Sequence, residues 1–418
     1  MILTFGTYDA ARQPRVGILV SGLRARGHRV VELNRPLGFS TAERVRMLRQ
    51  PWRLGQLLVR LVGCWAALVR DDVAHRRAHG APDAVLVGYL GHFDVVLARL
   101  LHPRTTVVLD HLVFAGDTAV DRGARGLRVR LLHALDRLAC ACADVVVVDT
   151  DEHRALLPAS SASRRRASLR VTDARPEGDA QRRSRGRGSV VVPVGAPDGW
   201  FAPDGGAPDG APWPDGGSPD RVGRSDGGAP AARDPLRVVF FGLFTPLQGA
   251  GTIAEALADA LPRAVTAGRP IQATMIGTGQ DHAAARDALG ATDGVTWLDW
   301  VEPDELPALV AHHDVCLGIL GTGPKALRVV PNKVFQGLAA GCVVVTSDTA
   351  PQRRLLGDHL ELVPPGDAAA LADRLLALTD PSVLAAARDR ARAGRAAVRP
   401  AAVVEPLHHA LAALGIHP

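Results

Sequence analysis

The segment Gly321–Gly341, GTGPKALRVVPNKVFQGLAAG, places three cations in and just before a predicted short helix. Asn332 suits the N-cap of that helix, and Gly341 suits the left-handed residue that ends it. The first backbone N–H groups of a helix have no partner within it, so cations beside them complete an anion site suited to a diphosphate. The cations are Lys325, Arg328 and Lys333. The alternative interpretation is a solvated basic turn before an ordinary core helix.

A second set of polar residues follows two predicted strands in the first half of the chain. Residues 83–101 predict a strand, a loop and a helix, and residues 105–123 predict a strand and a loop. Loops at the carboxyl ends of parallel strands are where open α/β sheets bind ligands. These loops contain His92, Asp94, Asp110, His111, Asp117, Asp121 and Arg122. Each histidine has the alternative role of a structural hydrogen-bond partner.

Alternating apolar strands and helices must position these residues. MILTFGTYDA predicts a strand that ends in a turn at Gly6-Thr7, and a helix and a second strand follow. The buried face of that helix is expected to carry Val16, Leu19, Val20 and Leu23. The stretch LRVVFFGLFTPLQGAGTIAEALADAL repeats the order of strand, Gly-rich loop and helix, and CVVVT after Gly341 predicts a buried parallel strand. The sequence lacks G-x-G-x-x-G after its first strand, so a nicotinamide dinucleotide site is not expected.

Length, charge and cysteine content limit the number of domains, the partners and the compartment of the protein. At 418 residues the chain is long enough for two domains, and its net charge of +6 favours anionic partners. Its longest apolar runs, such as Val145–Val148, are too short to span a bilayer, and the N-terminus shows no cleavable signal pattern. The 5 cysteines lack C-x-x-C spacing, which favours free thiols in a cytoplasmic protein over disulfides or a metal centre.

Residues 40–79 mix tryptophan and leucine with many arginines. The plainer interpretation is two helices that pack on the N-terminal sheet with their arginines in solvent. The alternative is a basic amphipathic segment that lies on an anionic membrane surface.

Two stretches have biased composition. Residues of about 158–188 are rich in serine and arginine and predict a disordered basic loop. No aromatic residues are interleaved there, so a nucleic-acid partner is not expected. Residues 202–235 predict a flexible Gly/Pro/Asp linker. Asp149-Thr150-Asp151 resembles a metal-binding D-x-D, but it ends a strand and starts a helix, where aspartate suits the N-cap, so no metal site is predicted.

The order of these motifs resembles a GT-B glycosyltransferase, specifically glycosyltransferase family 4, in which a segment like PNKVFQGLAAG contacts the nucleotide sugar. The resemblance covers nearly the whole chain apart from the two biased stretches. It implies an α/β fold of two Rossmann-like domains that face each other across a cleft. The expected parts are an N-terminal acceptor domain (1–201), a flexible linker (202–235) and a C-terminal donor domain (236–400). A last helix, 401–418, is expected to cross back to the N-terminal domain.

The resemblance implies that the second domain binds a nucleotide-diphosphate sugar. Expected donor-binding residues are Gly242, Thr245, Gln248, Gly249, Trp300, Lys325, Arg328, Asn332, Lys333 and Gln336. Gln336 replaces the second glutamate of the family's two-glutamate motif and can still hold ribose hydroxyls, whereas Arg328 replaces the first. Thr245 and Gln248 are neutral where many family members carry cations, which leaves charge neutralisation to the segment around Lys333. Trp300 has the alternative of a core position.

For the first domain, the resemblance implies acceptor binding at Gly6, Thr7 and Asp117 and reaction-centre roles for His111, Asp110 and His92. It further implies retention at the anomeric carbon, with the leaving phosphate oxygen taking the acceptor's proton. The second domain would stabilise charge on the leaving diphosphate, so no metal or other cofactor is expected. The acceptor stays open among a lipid-linked glycan, a polysaccharide, an antibiotic core and a small metabolite.

Two rival functions fit the same fold. A nucleotide-sugar 2-epimerase would use acid and base groups at the cleft and would need no acceptor. A catalytically inactive, membrane-associated scaffold is motivated by the replaced glutamates. The expected location is the cytoplasm. If residues 40–79 bind an anionic membrane, the protein is expected to lie peripherally at the inner membrane face.

Overall fold

The computed structural model describes residues 1–9, 13–38, 51–121, 124–158, 188–201 and 234–418. The chain divides into two compact units, the first comprising Met1–Pro193 and Val403–Pro418 and the second Val194–Ala402. The expected basic loop at about 158–188 and the expected linker at 202–235 lie almost wholly outside the described residues.

The first unit is built on a six-stranded parallel sheet with the strand order β2-β1-β3-β4-β5-β6. Its central strands are almost continuously apolar and buried, as expected where helices cover both faces of a sheet. The strand succession reverses between β1 and β3, and open α/β sheets bind ligands beside the carboxyl ends of such a pair. The strands are Ile2–Gly6 (β1), Val30–Asn34 (β2), Ala84–Val87 (β3), Thr106–Asp110 (β4), Val145–Val148 (β5) and Gly188–Val191 (β6).

Helices connect these strands. The predicted buried face of the first helix is confirmed, because Val16, Leu19, Val20 and Leu23 are all nearly inaccessible to solvent. In the described part of 40–79, the stretch where two helices are predicted, one continuous helix covers Pro51–His79. Residues 40–50 lie outside the described part. The helices are Pro14–Ala25 (α1), Pro51–His79 (α2), Asp94–Leu101 (α3), Ala115–Asp121 (α4), Leu127–Cys142 (α5) and Asp151–Ala155 (α6).

The second unit contains another six-stranded parallel sheet, with the order β12-β11-β10-β7-β8-β9. Its strand succession reverses between β7 and β10. The predicted buried parallel strand after Gly341 is confirmed as β11. The strands are Leu236–Phe241 (β7), Ile271–Ile276 (β8), Val295–Leu298 (β9), Val315–Leu317 (β10), Val343–Ser347 (β11) and Glu361–Val363 (β12).

The core of the second unit lies between this sheet and its helices, with Phe240, Phe244, Ile253 and Leu257 buried in one cluster. Among the helices of the described residues, none has the length and apolar character needed to cross a membrane. The helices are Ala250–Thr266 (α7), His282–Leu289 (α8), Leu306–Ala311 (α9), Asn332–Ala340 (α10), Ala350–Leu356 (α11), Ala368–Leu378 (α12) and Pro381–Gly394 (α13). Short 3₁₀ turns cover Asp198–Trp200, Ala326–Arg328, Gly357–His359 and Arg395–Val398.

The last segment of the chain belongs to the first unit. The helix Pro400–Val403 (α14) ends where this segment begins, and the helix Glu405–Ala413 (α15) lies within it. Val403, Val404, Leu407 and Leu411 are buried in the same apolar cluster as α1. The C-terminal segment is therefore part of the core that supports β1.

Two helix starts differ from the sequence prediction by one residue. Pro331, with φ −75° and ψ 157°, occupies the N-cap of α10, so Asn332 is the first helical residue and its side chain does not cap the helix. Thr150, not an aspartate, caps α6, and its Oγ1 accepts the His153 N–H at 3.2 Å. The predicted left-handed end of α10 is confirmed by φ +92° at Gly341.

Candidate functional site

Lys333 lies on the first turn of α10, beside the reversal point of the second sheet. Its side chain is buried, and its Nζ lies 3.7 Å from the centroid of the Phe240 ring on β7. Within the described residues, Nζ has no hydrogen-bond partner. Burial lowers the pKa of Lys333 to about 7. The ammonium group is stabilised by a cation–π contact and donates no hydrogen bond to the described residues. Its N–H groups can therefore still bind an anion.

Gly242 follows β7 directly and lies next to this ammonium group. A Cβ at Gly242 would come 3.3 Å from Lys333 Nζ, and the residue has φ +130°. Gly242 itself is exposed, although Nζ is covered. The lysine is therefore buried directly beneath an open glycine at the carboxyl edge of the sheet, where a phosphate oxygen can approach the backbone closely.

The loop from Gly242 to Gly249 packs tightly on the chain after β10. Gly249 has φ +70°, and a Cβ there would lie 2.5 Å from the carbonyl carbon of Leu320. The N–H of Leu320 donates to the carbonyl oxygen of Gln248 at 3.0 Å. Thr245 and Gln248 are both half-buried in this loop, and the Gln248 Oε1 has no hydrogen-bond partner in the described part of the chain. The structure thus brings the Gly242–Gly249 loop and the chain after β10 together, as one rim.

The other predicted cations lie on the turn before α10. Lys325 and Arg328 are half-buried there, and Arg328 Nε donates to the Pro324 carbonyl at 2.9 Å. Asn332 is exposed at the start of α10, and Gln336 follows one turn later, half-buried. Residues four apart on a helix share a face, so Asn332 and Gln336 lie on one side of α10.

Trp300 follows β9, the edge strand two positions from β7. The alternative of a core position is wrong, because the residue is 70% exposed. Its indole N–H donates to Glu302 at 3.1 Å. Two strand spacings correspond to about 10 Å, so β9 lies at about that distance from β7 across the sheet.

In the first unit, the predicted turn at Gly6-Thr7 is organised by Asp94, the first residue of α3. The N–H and the hydroxyl of Thr7 donate to Asp94 Oδ2 at 2.8 and 2.9 Å, and the indole N–H of Trp65 donates to Oδ1 at 2.9 Å. A Cβ at Gly6 would lie 3.1 Å from Oδ2. Asp94 is therefore the residue that fixes this turn, although it was absent from the predicted acceptor-binding set.

Asp110, predicted at the reaction centre, occupies a buried ion pair with Arg15. Arg15 Nε lies 3.2 Å from Asp110 Oδ1, and the same guanidinium donates to the carbonyls of Val192 and Pro193. Burial raises the pKa of Asp110, and the charge of Arg15 opposes that effect. Because its carboxylate is engaged with Arg15 and covered by protein, Asp110 links β4 to α1 and the end of the first sheet.

His92 and His111, both predicted, are brought together at the carboxyl edge of the first sheet. Their ring centroids are 5.1 Å apart. Asp136 of α5 completes the group, with Oδ1 2.9 Å from His92 Nε2 and 3.9 Å from His111 Nε2. Burial and the neighbouring His92 lower the pKa of His111 to about 3, so its ring is neutral. The only sequence signal for Asp136 was an acidic residue within the otherwise apolar and basic run LLHALDRLACACA.

The remaining predicted polar residues of the first unit lie nearby but make separate contacts. Asp117 is half-buried on α4, with Oδ1 4.0 Å from His133 Nε2. Asp149 Oδ1 lies 2.5 Å from His153 Nδ1, and Asp151 pairs with Arg154. The residues of the Asp149-Thr150-Asp151 motif therefore make local contacts at the start of α6.

Comparisons with known proteins agree with this architecture. Residues 235–380 match the family model described as glycosyl transferases group 1. The chain is 35% identical over 147 residues to the phosphatidyl-myo-inositol mannosyltransferase of Mycobacterium leprae. The aligned residues are 34% of this chain and 37% of that protein. The match therefore spans little more than a third of that relative's length.

Two solved structures resemble nearly the whole chain. HepE of Anabaena in complex with UDP-glucose is 16% identical, with 99% of each chain covered and a TM-score of 0.58. Sucrose-phosphate synthase of Thermosynechococcus elongatus is 17% identical, with 99% and 98% covered and a TM-score of 0.60. The predicted α/β fold of the GT-B class is confirmed, and so is the resemblance of the donor half to group 1 glycosyltransferases.

Proposed function

We propose that this protein is a glycosyltransferase that moves a sugar from a nucleotide-diphosphate sugar to an acceptor hydroxyl. The observation that carries the proposal is the buried ammonium group of Lys333, which has no hydrogen-bond partner among the described residues and lies beneath Gly242 at the reversal point of the second sheet. A buried cation without an anion costs free energy, and a bound diphosphate offsets that cost. The match of residues 235–380 to group 1 glycosyl transferases supports the same assignment.

The diphosphate is proposed to lie above Gly242, between Lys333 and the start of α10. The N-terminus of α10 carries no side-chain cap, so its first N–H groups can donate to phosphate oxygens. Lys325 and Arg328 on the preceding turn add positive charge, and Thr245, Gln248 and Gly249 form the opposite rim. Together these groups stabilise the charge that develops on the leaving diphosphate, and this step asks for no metal ion.

The nucleoside is proposed to extend from the diphosphate towards β9. The exposed indole of Trp300, just after β9, offers a face on which a base can stack. Gln336 lies one turn into α10 and is proposed to bind the ribose hydroxyls through its amide. Uracil is the first base to test, because HepE was solved with UDP-glucose.

The acceptor is proposed to bind at the carboxyl edge of the first sheet, near Thr7, Asp117 and the two clustered histidines. Retention at the anomeric carbon is part of the proposal, with the leaving phosphate oxygen taking the acceptor's proton. That route needs no strong base from the protein. It agrees with the lowered pKa of His111, which makes its imidazole a weak proton acceptor, and with the engagement of Asp110 by Arg15. Either a lipid-linked glycan or a small metabolite with a free hydroxyl fits this requirement.

We also propose peripheral contact between α2 and an anionic membrane surface. Leu58, Val59 and Val62 are 61%, 74% and 53% exposed on this helix, and Arg60 lies among them. An exposed apolar patch beside cationic side chains suits the boundary of an anionic bilayer.

The experiment that tests the donor site is thermal unfolding of the full chain with UDP, GDP, TDP, CDP and ADP, and with NAD as a control. A ligand that binds only the folded state raises the melting temperature, so a shift with one nucleoside diphosphate supports the donor site and names the base. A shift with NAD alone, or with no nucleotide at all, contradicts the proposal. Incubating the identified nucleotide sugar without an acceptor then separates transfer from epimerisation.

A further inference from the structure

Three elements of the first unit bring His92, His111 and Asp136 to one point. His92 follows β3, His111 follows β4 directly, and Asp136 lies in the middle of α5. All three residues are buried, and one ligand atom from each lies within 4.8 Å of the other two. The Asp136 Oδ1 atom is 2.9 Å from His92 Nε2 and 3.9 Å from His111 Nε2.

The Nε2 atom of His111 is left without a hydrogen bond in this cluster. It is buried and, in the described residues, has no hydrogen-bond partner, because 3.9 Å to Asp136 is too long for a hydrogen bond. A buried polar atom of this kind calls for a partner such as water or an ion. Two imidazole nitrogens and a carboxylate oxygen form a donor set that Zn²⁺ binds in proteins.

The spacing of these atoms fits such an ion. Ligand atoms arranged tetrahedrally at the usual Zn–N and Zn–O distances of roughly 2.0–2.1 Å are about 3.4 Å apart. The observed separations of 2.9 and 3.9 Å lie on either side of this value. All three ligand atoms lie within 4.8 Å of one another, so one ion can lie between them once the imidazole rings rotate towards it.

The carboxylate is already oriented by the backbone. Asp136 Oδ1 accepts the N–H of Ala115, and Oδ2 accepts the N–H of Gly116, both at 3.0 Å. Hydrogen bonds from such surrounding groups hold metal-binding carboxylates in place. His133 packs against Gly116, where a Cβ would lie 2.2 Å from its Nδ1.

We propose that His92, His111 and Asp136 bind one divalent transition-metal ion of the Zn²⁺ class. The two nitrogen ligands argue against Mg²⁺ and Ca²⁺, which prefer oxygen ligands. The ion ties the loop after β3, the end of β4 and α5 together at the carboxyl edge of the first sheet. Three protein ligands leave a fourth position for water. This site is separate from the proposed diphosphate site on the second unit and does not depend on it.

The test uses the full chain, stripped with a chelator and titrated with Co²⁺ as a spectroscopic probe for the Zn²⁺ class. The expected result is one Co²⁺ per chain, with visible d–d absorption, no thiolate charge-transfer band, and displacement by Zn²⁺. His111→Asn and Asp136→Asn should each weaken binding by more than about 100-fold, since loss of a surrounding group alone weakens metal sites by roughly 10- to 100-fold. His133→Ala, a neighbouring histidine outside the set, should retain the affinity.

X-ray absorption at the zinc edge of the unaltered protein gives a second measurement that needs no folded variant. Two imidazoles and further oxygen ligands are expected. Sulfur in the first coordination shell, failure of the unaltered protein to bind an ion at about 100 μM metal, or equal affinity in all three variants would each overturn the proposal.

Discussion

The ammonium nitrogen of Lys333 lies 3.7 Å from the centroid of the Phe240 ring and has no hydrogen-bond partner in the described chain. The aromatic face stabilises the positive charge, but it supplies none of the three acceptors that an ammonium group can use. The folded protein therefore holds this lysine at a cost in stability. A residue held at such a cost is expected where binding an anion matters.

Replacing Lys333 by methionine should separate binding from stability. Lys333→Met should weaken binding of the nucleoside diphosphate by about 1.5–3 kcal/mol, the contribution of one charge-assisted hydrogen bond. The same variant should raise the melting temperature of the ligand-free protein, because it removes a buried unpaired charge. Calorimetric titration and thermal unfolding measure the two effects. Arg353→Met, an exposed cation of the same unit, is the control and should change neither. Equal losses of affinity in both variants would contradict the placement of the diphosphate.

The pKa of Lys333, about 7 in the folded protein, predicts pH-dependent donor binding. Affinity for the nucleotide sugar should be greatest below pH 7 and fall above it, because binding must then restore the proton. A nucleotide sugar is the suitable ligand, since its diphosphate is esterified at both ends. Lys333→Met should show no such dependence. Lys325 and Lys333 are the only lysines in the chain, so NMR of their ε-carbons can follow this titration directly. A Lys333 resonance that titrates near its ordinary 10.5 would refute the prediction.

The same titration has a defined effect on stability. Between the folded pKa of about 7 and the ordinary value of 10.5, the unfolded chain binds more protons at Lys333 than the folded chain does. The contribution of Lys333 to stability therefore rises with pH across that window, and its burial penalty is complete below pH 7. The difference in stability between the unaltered protein and Lys333→Met should shrink as the pH increases.

Two glutamine-to-glutamate changes should act in opposite directions. Gln336→Glu should tighten donor binding by about fivefold, or roughly 1 kcal/mol, because a carboxylate accepts ribose hydroxyls more strongly than an amide. Gln248→Glu should weaken it, because a carboxylate in the rim beside the diphosphate repels it. Calorimetric titration with the nucleoside diphosphate measures both. If both variants weaken binding equally, Gln336 does not face the ribose.

The buried pair of Arg15 and Asp110 should stabilise the first unit. Arg15→Met leaves Asp110 buried without its cation and should reduce the free energy of unfolding by about 3–5 kcal/mol. The double variant Arg15→Met/Asp110→Leu should recover much of that loss, because neither charge remains. Arg263→Met, at the half-exposed pair with Asp259, should change the free energy of unfolding far less than Arg15→Met does. Urea unfolding measures all three, and a double variant no better than Arg15→Met would argue against the assigned role of the pair.

The membrane proposal predicts that α2 controls binding to anionic vesicles. The full chain should sediment with phosphatidylglycerol vesicles at low salt, and Leu58→Asp/Val62→Asp should reduce that binding at least about tenfold, because both changes put charge on the apolar patch. Leu414→Asp, at an apolar residue that is 39% exposed and lies outside α2, is the control. No binding of the unaltered protein, or equal binding of both variants, would exclude this surface.

The sequence predicted the features that depend on nearby residues. The apolar runs identified both parallel sheets, and Gly341 marked the end of α10 because a left-handed residue favours glycine locally. The start of α10 was misplaced by one residue, because Pro331 takes the N-cap with its extended ψ and the helix already begins at Asn332.

Features set by distant contacts could not be predicted. Arg15 and Asp110 are 95 positions apart, and nothing in either local sequence indicates the pair. His92 and Asp136 are 44 positions apart, and Asp136 resembled an ordinary polar residue on a helix. Trp300 was compatible with the core until the strand order placed β9 at the sheet edge, where the indole is exposed.

The position of Val403, Val404, Leu407 and Leu411 in the core of the first unit bears on how the protein is made. A ribosome delivers the second unit, Val194–Ala402, as one continuous piece before these residues emerge. The first unit is started earlier but lacks part of its apolar core until then. The second unit is therefore the first to have its whole chain available for folding, and the first unit can be completed only afterwards.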